Sequence, residues 1–93
     1  VTEIIVQQMP AFKKAYKRLH IKERTVVDDA IRSIVQHPNI GQEKKGDLAG
    51  VFVYKFKMHN KEILLAYEWD PRTRLLLALG VHENFYRDLK KLR

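Results

Sequence analysis

The spacing of apolar residues along this chain changes once, near residue 50, from a helical to a stranded period. Before the change, "TEIIVQQ" (2–8) is β-branched with mixed alternation and predicts a short edge strand. Met9-Pro10 opens a helix, because proline suits the first helical position. In "PAFKKAYKRLH" (10–20), Phe12, Ala15, Tyr16 and Leu19 recur at i, i+3, i+4 and i+7, with Lys13, Lys14, Lys17 and Arg18 on the other side. This is an amphipathic helix with a cationic outer face. From Lys22 to Gln36 the pattern repeats. Val26, Val27, Ala30, Ile31 and Ile34 form the stripe, and Glu23, Asp28, Asp29 and Arg32 stay outside. "HPN" (37–39) stops this second helix, so the two helices form a hairpin. The stretch 40–50, with three glycines, predicts a loop.

After the loop the period becomes two. In "VFVYKFKM" (51–58), Phe52, Tyr54, Phe56 and Met58 point one way; Val51, Val53, Lys55 and Lys57 point the other. "HNK" (59–61) is a tight turn. "EILLAYEWD" (62–70) places Ile63, Leu65, Tyr67 and Trp69 on one face, and Glu62, Leu64, Ala66 and Glu68 on the other. "PRT" (71–73) turns again. "RLLLALGV" (74–81) puts Leu75, Leu77, Leu79 and Val81 on the first face, and Arg74, Leu76, Ala78 and Gly80 on the second. His82 continues the second set. From about Glu83, Phe85, Leu89 and Leu92 space a last amphipathic helix. There are no repeats, and residues 1–93 form a single domain.

These elements predict an α+β fold of two layers: an N-terminal strand, a helical hairpin, a three-stranded antiparallel meander and a C-terminal helix. By parity the hairpin covers the face carrying Phe52, Phe56, Leu65, Trp69 and Leu77. The remaining face mixes Val51, Val53, Leu64, Leu76 and Ala78 with Lys55, Lys57, Glu62, Glu68, Arg74 and, at the strand end, His82. A solvated face is normally more polar, so something docks there: the chain's own last helix, a partner or an anionic ligand.

Composition narrows the chemistry. The chain has 18 Lys and Arg against 11 Asp and Glu, a formal charge of +7 that draws it to polyanions such as nucleic acid or an acidic partner. Without cysteine there is no disulfide, no thiol nucleophile and no thiolate zinc site. The four histidines show no ligand spacing, so no metal and no cofactor are expected. No apolar stretch nears the roughly 20 residues of a membrane span. The first residues lack a secretion-signal layout. The expectation is therefore a cytoplasmic protein with no membrane partner.

"PAFKKAYKRL", "HPNIGQEKKGDLAGVFVYKFK", "LLAYEWD" and "LLLALGVHENFYRDLKKL" follow one another in an order and spacing that resembles the RelE/ParE toxins of bacterial type II toxin–antitoxin modules. The likeness spans nearly the whole chain and implies that fold. It also implies a toxin held by a cognate antitoxin, with two possible activities. RelE-like members cut messenger RNA on the ribosome, using the RNA's own 2′-hydroxyl as nucleophile. ParE-like members poison DNA gyrase without cutting RNA.

Carried onto this chain, the RelE resemblance implies a catalytic set of Lys55, Lys57, His82 and Tyr86. His82, with an ordinary pKa of about 6.5, serves as acid or base near neutrality, and the lysines hold phosphate oxygens. Arg74, Arg87, Lys44 and Lys45 are the expected contacts to RNA or another target. Val51, Val53, Leu64 and Leu76 are the expected antitoxin surface. The pattern is broken at one position. RelE has an arginine three residues before a middle-strand tyrosine, and here Leu64 stands at that distance from Tyr67.

Overall fold

Proline and glutamate set the helix starts. The computed structural model describes residues 3–81 and 85–91. Strand β1 (Ile5–Gln8) leads through an extended Met9 into helix α1 (Pro10–Lys17), whose first residue is the proline. Helix α2 (Ile21–Gln36) begins after His20. The Glu23 carboxylate reaches back to accept the His20 backbone N–H at 2.9 Å, pairing an N–H that the helix itself leaves open. α2 ends at His37-Pro38, where a short 3-10 turn (Pro38–Ile40) takes over.

The predicted loop holds a two-residue strand β2 (Gln42–Glu43) and a second 3-10 turn (Gly46–Leu48). The meander follows as β3 (Phe52–Met58), β4 (Lys61–Trp69) and β5 (Thr73–Val81), and helix α3 (Phe85–Lys91) ends the described chain. His59 and Asn60 join β3 to β4 with φ of 54° and 65°. Two left-handed residues are what a tight hairpin turn needs to match the strand twist.

The five strands lie in the order β1-β5-β4-β3-β2. β1 runs parallel to β5 and is an edge strand, as the sequence predicts; the remaining neighbours are antiparallel. The hairpin α1–α2 covers one face, where Phe12, Val27, Ala30 and Ile34 meet Leu65, Tyr67 and Leu76, with Phe52 and Phe56 packed around them. α3 lies on the other face, where Phe85 and Leu89 meet Val51, Val53, Leu64, Ala66 and Leu77.

Strict alternation fails in β5. Ala66 pairs with Ala78, but Tyr67 pairs with Leu76, so Leu77 is an extra residue opposite the Ala66–Tyr67 step. Such a bulge reverses the facing of everything before it. Leu76 and Arg74 therefore lie on the hairpin side, and Leu77 packs under α3, the reverse of the parity assignment. Trp69 is a smaller departure. It sits at the end of β4, 36% exposed, with its ring edge-on to Phe52 rather than inside the core.

Candidate functional site

The sheet face under α3 keeps part of the expected set. Lys55 stands opposite Leu64 on β3, flanked by residues whose rings turn toward the hairpin, so it projects to the α3 side and is exposed. Lys57, also exposed, lies further along the same strand. β2 pairs only with Phe52 and Val53, so β3 is an edge beyond them. There Lys57 also borders a shallow groove against Val26 and Asp29 of α2.

Lys44 comes to this face from the loop. Its backbone N–H donates to Val51 O at 2.8 Å, which ties the loop to the start of β3. Its ammonium sits 4.9 Å from the centre of the Tyr86 ring, a cation–π contact that links the loop to α3. Tyr86 also meets Phe85 edge-on, at 5.5 Å between ring centres. Lys45 and Arg87 are both exposed, on the loop and on α3. Where β5 ends, a cleft of about 340 Å³ opens between Ala11 of α1, Gly80 and Val81 of β5, and Phe85 and Asp88 of α3. His82, the expected proton carrier, lies outside the described residues, as does Glu83.

Three groups of the expected site are placed elsewhere or used otherwise. Arg74 does not face a ligand. It is 4% exposed and donates through Nε to Ile34 O at 3.3 Å, through Nη2 to Val35 O at 3.0 Å, and through Nη1 to Asp70 O and Thr73 O at 2.7 and 3.1 Å. The residue four after Ile34 is Pro38, which has no N–H, so the Ile34 carbonyl has no helical donor and Arg74 supplies one.

Leu76 is fully buried beneath the hairpin and cannot touch a partner. Val51, Val53 and Leu64 do share a face, but Leu48, Phe85 and Leu89 of the chain itself cover them. They are not an open docking surface. Leu64 is 0% exposed in this packing, so the position where the RelE pattern has arginine is apolar core here.

Tyr67 had no role in the sequence reading beyond core packing. Its hydroxyl donates to Pro38 O at 2.6 Å and accepts the Gly41 N–H at 3.0 Å, fastening the end of α2 to the sheet. Gly41 has to be glycine for this: a Cβ there would lie 2.7 Å from the Tyr67 oxygen and 3.1 Å from the Val53 backbone carbon. Burial pushes the Tyr67 phenol above its ordinary pKa. One signal was legible: a tyrosine in the middle of a buried strand needs a partner for its hydroxyl.

What remains on the α3 face is a rim of Lys44, Lys55 and Lys57, with Glu62 directly across the strands from Lys57, around an apolar centre. Such a rim can hold phosphate or carboxylate oxygens. Among the described residues no cluster of His, Asp and Glu is arranged to bind a metal, and no helix is long and apolar enough to cross a membrane.

The fold has known relatives. An E. coli RelE double mutant in the free state superposes with a TM-score of 0.72, at 15% identity over 97% of each chain. The Mycobacterium tuberculosis RelBE2 toxin–antitoxin complex contains a chain at TM-score 0.71 and 19% identity, covering 87% of this protein and 100% of that chain. A YoeB/ParE toxin from Agrobacterium tumefaciens follows at TM-score 0.66 and 15% identity, covering 85% and 99%. Identities this low speak to the fold. No curated protein matches by sequence. The family described as "ParE-like toxin of type II bacterial toxin-antitoxin system" matches residues 6–90. With nine-tenths of its length inside that match, the chain belongs to the ParE-like toxins of type II toxin–antitoxin systems, within the RelE/ParE superfamily.

Proposed function

We propose that this toxin stops translation by cutting messenger RNA on the ribosome, with the RNA's 2′-hydroxyl as nucleophile. The observation that carries this is the rim of Lys44, Lys55 and Lys57 on the α3 face, with Lys44 seated over Tyr86. Lysines there hold the scissile phosphate and offset the charge that builds on it. His82 is the proposed acid or base, and Tyr86 orients a base of the RNA by stacking. Arg87 and Lys45 extend the contact to the RNA backbone.

The partner that silences the toxin is a cognate antitoxin. The complex found among the structural relatives supports this. An antitoxin segment reaches Val51, Val53 and Leu64 only if α3 moves off them.

Mapping messenger RNA ends on ribosomes incubated with the protein tests the activity. New ends are expected with the native chain. Losing one phosphate-holding cation, as in Lys55→Ala, is expected to slow cleavage by about 10²–10³, by analogy with an oxyanion donor. His82→Ala and Tyr86→Phe should also reduce it. Ends that do not change with any of these variants would remove the proposal.

The second reading is a non-enzymatic toxin that binds DNA gyrase. It is favoured by buried Leu64 where RelE has arginine, and by Arg74 being committed to backbone carbonyls. Growth arrest with intact messenger RNA and blocked supercoiling would decide for it.

A further inference from the structure

The two edges of the sheet are built differently. One is blunted: it ends in the two-residue β2, and beyond that β3 carries exposed Lys55 and Lys57. Short edge strands and lysines keep a sheet from pairing with another. The other edge is β1, Ile5-Val6-Gln7-Gln8, with no charge, no proline and an unbroken register against β5. All four residues are exposed, Ile5 at 50% and Val6 at 40%. Among the described residues no strand lies on its outer side.

The hydrogen bonds to β5 show which groups of β1 are open. The Ile5 N–H donates to Arg72 O at 2.8 Å and the Met9 N–H to Leu76 O at 2.9 Å. Successive residues of a strand turn their backbone groups to opposite sides. Those of Ile4, Val6 and Gln8 therefore point away from the sheet. Val6 is registered with Arg74 and Gln8 with Leu76, so both side chains lie on the hairpin side, where they border Lys13.

We propose that β1 is the strand through which two copies of this toxin pair, antiparallel, about a two-fold axis at Val6 and normal to the sheet. This axis keeps the hairpin side of one copy level with the hairpin side of the other. It sets Val6 opposite Val6 and Ile4 opposite Gln8, the residues whose backbone groups are open. Each pair then exchanges both of its hydrogen bonds. Moving the axis to Ile5 or Gln7 uses fewer of these residues. On the other side of the sheet, Ile5 of one copy meets Gln7 of the second, at a hollow lined by Trp69, Thr73 and Leu75.

Charge agrees with a self-complementary contact. Exposed Glu3 falls opposite Met9 of the second copy, at the end where that copy's Lys13 borders Gln8. The two-fold axis repeats this acid–cation approach. A strongly acidic strand would instead set its charges against Glu3 and an otherwise neutral edge. The contact depends on neither toxic activity, and it leaves both α3 faces on one side of the joined sheet. Pairing over so short a strand buries less than the roughly 1,200 Å² of a stable interface, so the dimer is reversible, with a Kd on the order of 10–100 µM.

Sedimentation equilibrium of the full chain tests this, and the mass should rise from one copy toward two as concentration passes that range. Val6→Lys and Val6→Glu each set like charges across the axis and should raise Kd by about tenfold or more. An equimolar mixture of the two should bring it back to within about threefold of the native chain. The chain has no cysteine. On oxidation Val6→Cys should therefore link two copies, whereas Gln8→Cys, about 14 Å from its counterpart, should not.

A native chain that stays single up to about 500 µM overturns the proposal. So does a mixture of the charged variants that stays single while both show native urea transitions, or a Gln8→Cys chain that links as readily as Val6→Cys. A Val6→Lys chain that self-associates normally but no longer binds its antitoxin gives the edge to that partner and overturns it as well.

Discussion

Arg74→Ala is the most telling substitution, because it separates a structural arginine from a ligand-binding one. The side chain is 4% exposed and makes four hydrogen bonds, two of them to the terminal carbonyls of α2. Truncation leaves the Ile34 and Val35 oxygens without that donor, and each buried oxygen left unpaired costs about 1–3 kcal/mol. Removing the guanidinium also empties the space beside the Trp69 ring, 5.8 Å away. The sum is about 3–5 kcal/mol, against a total stability on the order of 5–15 kcal/mol for a domain.

Urea unfolding followed by Trp69 fluorescence, from the protein's single tryptophan, reads this directly. With a slope of about 1.5 kcal/mol per molar, the midpoint should drop by about 2–3 M. Arg74→Lys should lose roughly half as much, since one ammonium cannot span carbonyls on both α2 and the β4–β5 turn. A midpoint for Arg74→Ala within about 0.3 M of the native chain would refute the reasoning. It would mean that the carbonyls find other donors and that the arginine is available for binding after all.

Three further outcomes are expected. Leu64→Arg, which restores the residue type of the RelE pattern, should cost more than about 3 kcal/mol or unfold the chain, since the position is fully buried under α3; thermal melts check this, and a native-like melt would mean that α3 yields readily. Gly41→Ala should lower stability by about 1–3 kcal/mol through the clash with the Tyr67 hydroxyl and the Val53 backbone, measured by the same urea curves. Alkali should destabilise the fold through Tyr67, whose buried phenol has a raised pKa. The neutral form is favoured when folded, so its contribution is complete below the unfolded value of 10.0 and is lost as pH climbs through 10.0 toward the raised folded value. Tyr67→Phe should be less stable at neutral pH yet flatter between about pH 9 and 11, and an unchanged alkaline slope would argue against this account.

Much of the fold can be read from local pattern. The stripes of α1 and α2, the proline starts and stops, and the alternation of β3 and β4 all depend on residues within a few positions of one another. The register of His59-Asn60 does too. Those same stripes determine that Lys13, Lys14, Lys17 and Arg18 face water and that Lys55 turns away from the hairpin. The order and spacing of these segments were also enough to reveal the toxin family.

The tertiary structure alone decided β5. One extra residue opposite β4 reverses the facing of everything before it, and nothing in "RLLLALGV" marks which leucine is extra, because leucine suits either face. The bulge sends Arg74 to the orphan carbonyl above Pro38 instead of to a ligand, and Leu76 to the hairpin core instead of to a partner. Likewise, the apolar centre around Leu64 reads as a vacant docking face in one dimension. In three it belongs to α3, since which surface a helix covers depends on the path of the chain after the strand, and local period carries no information about that path.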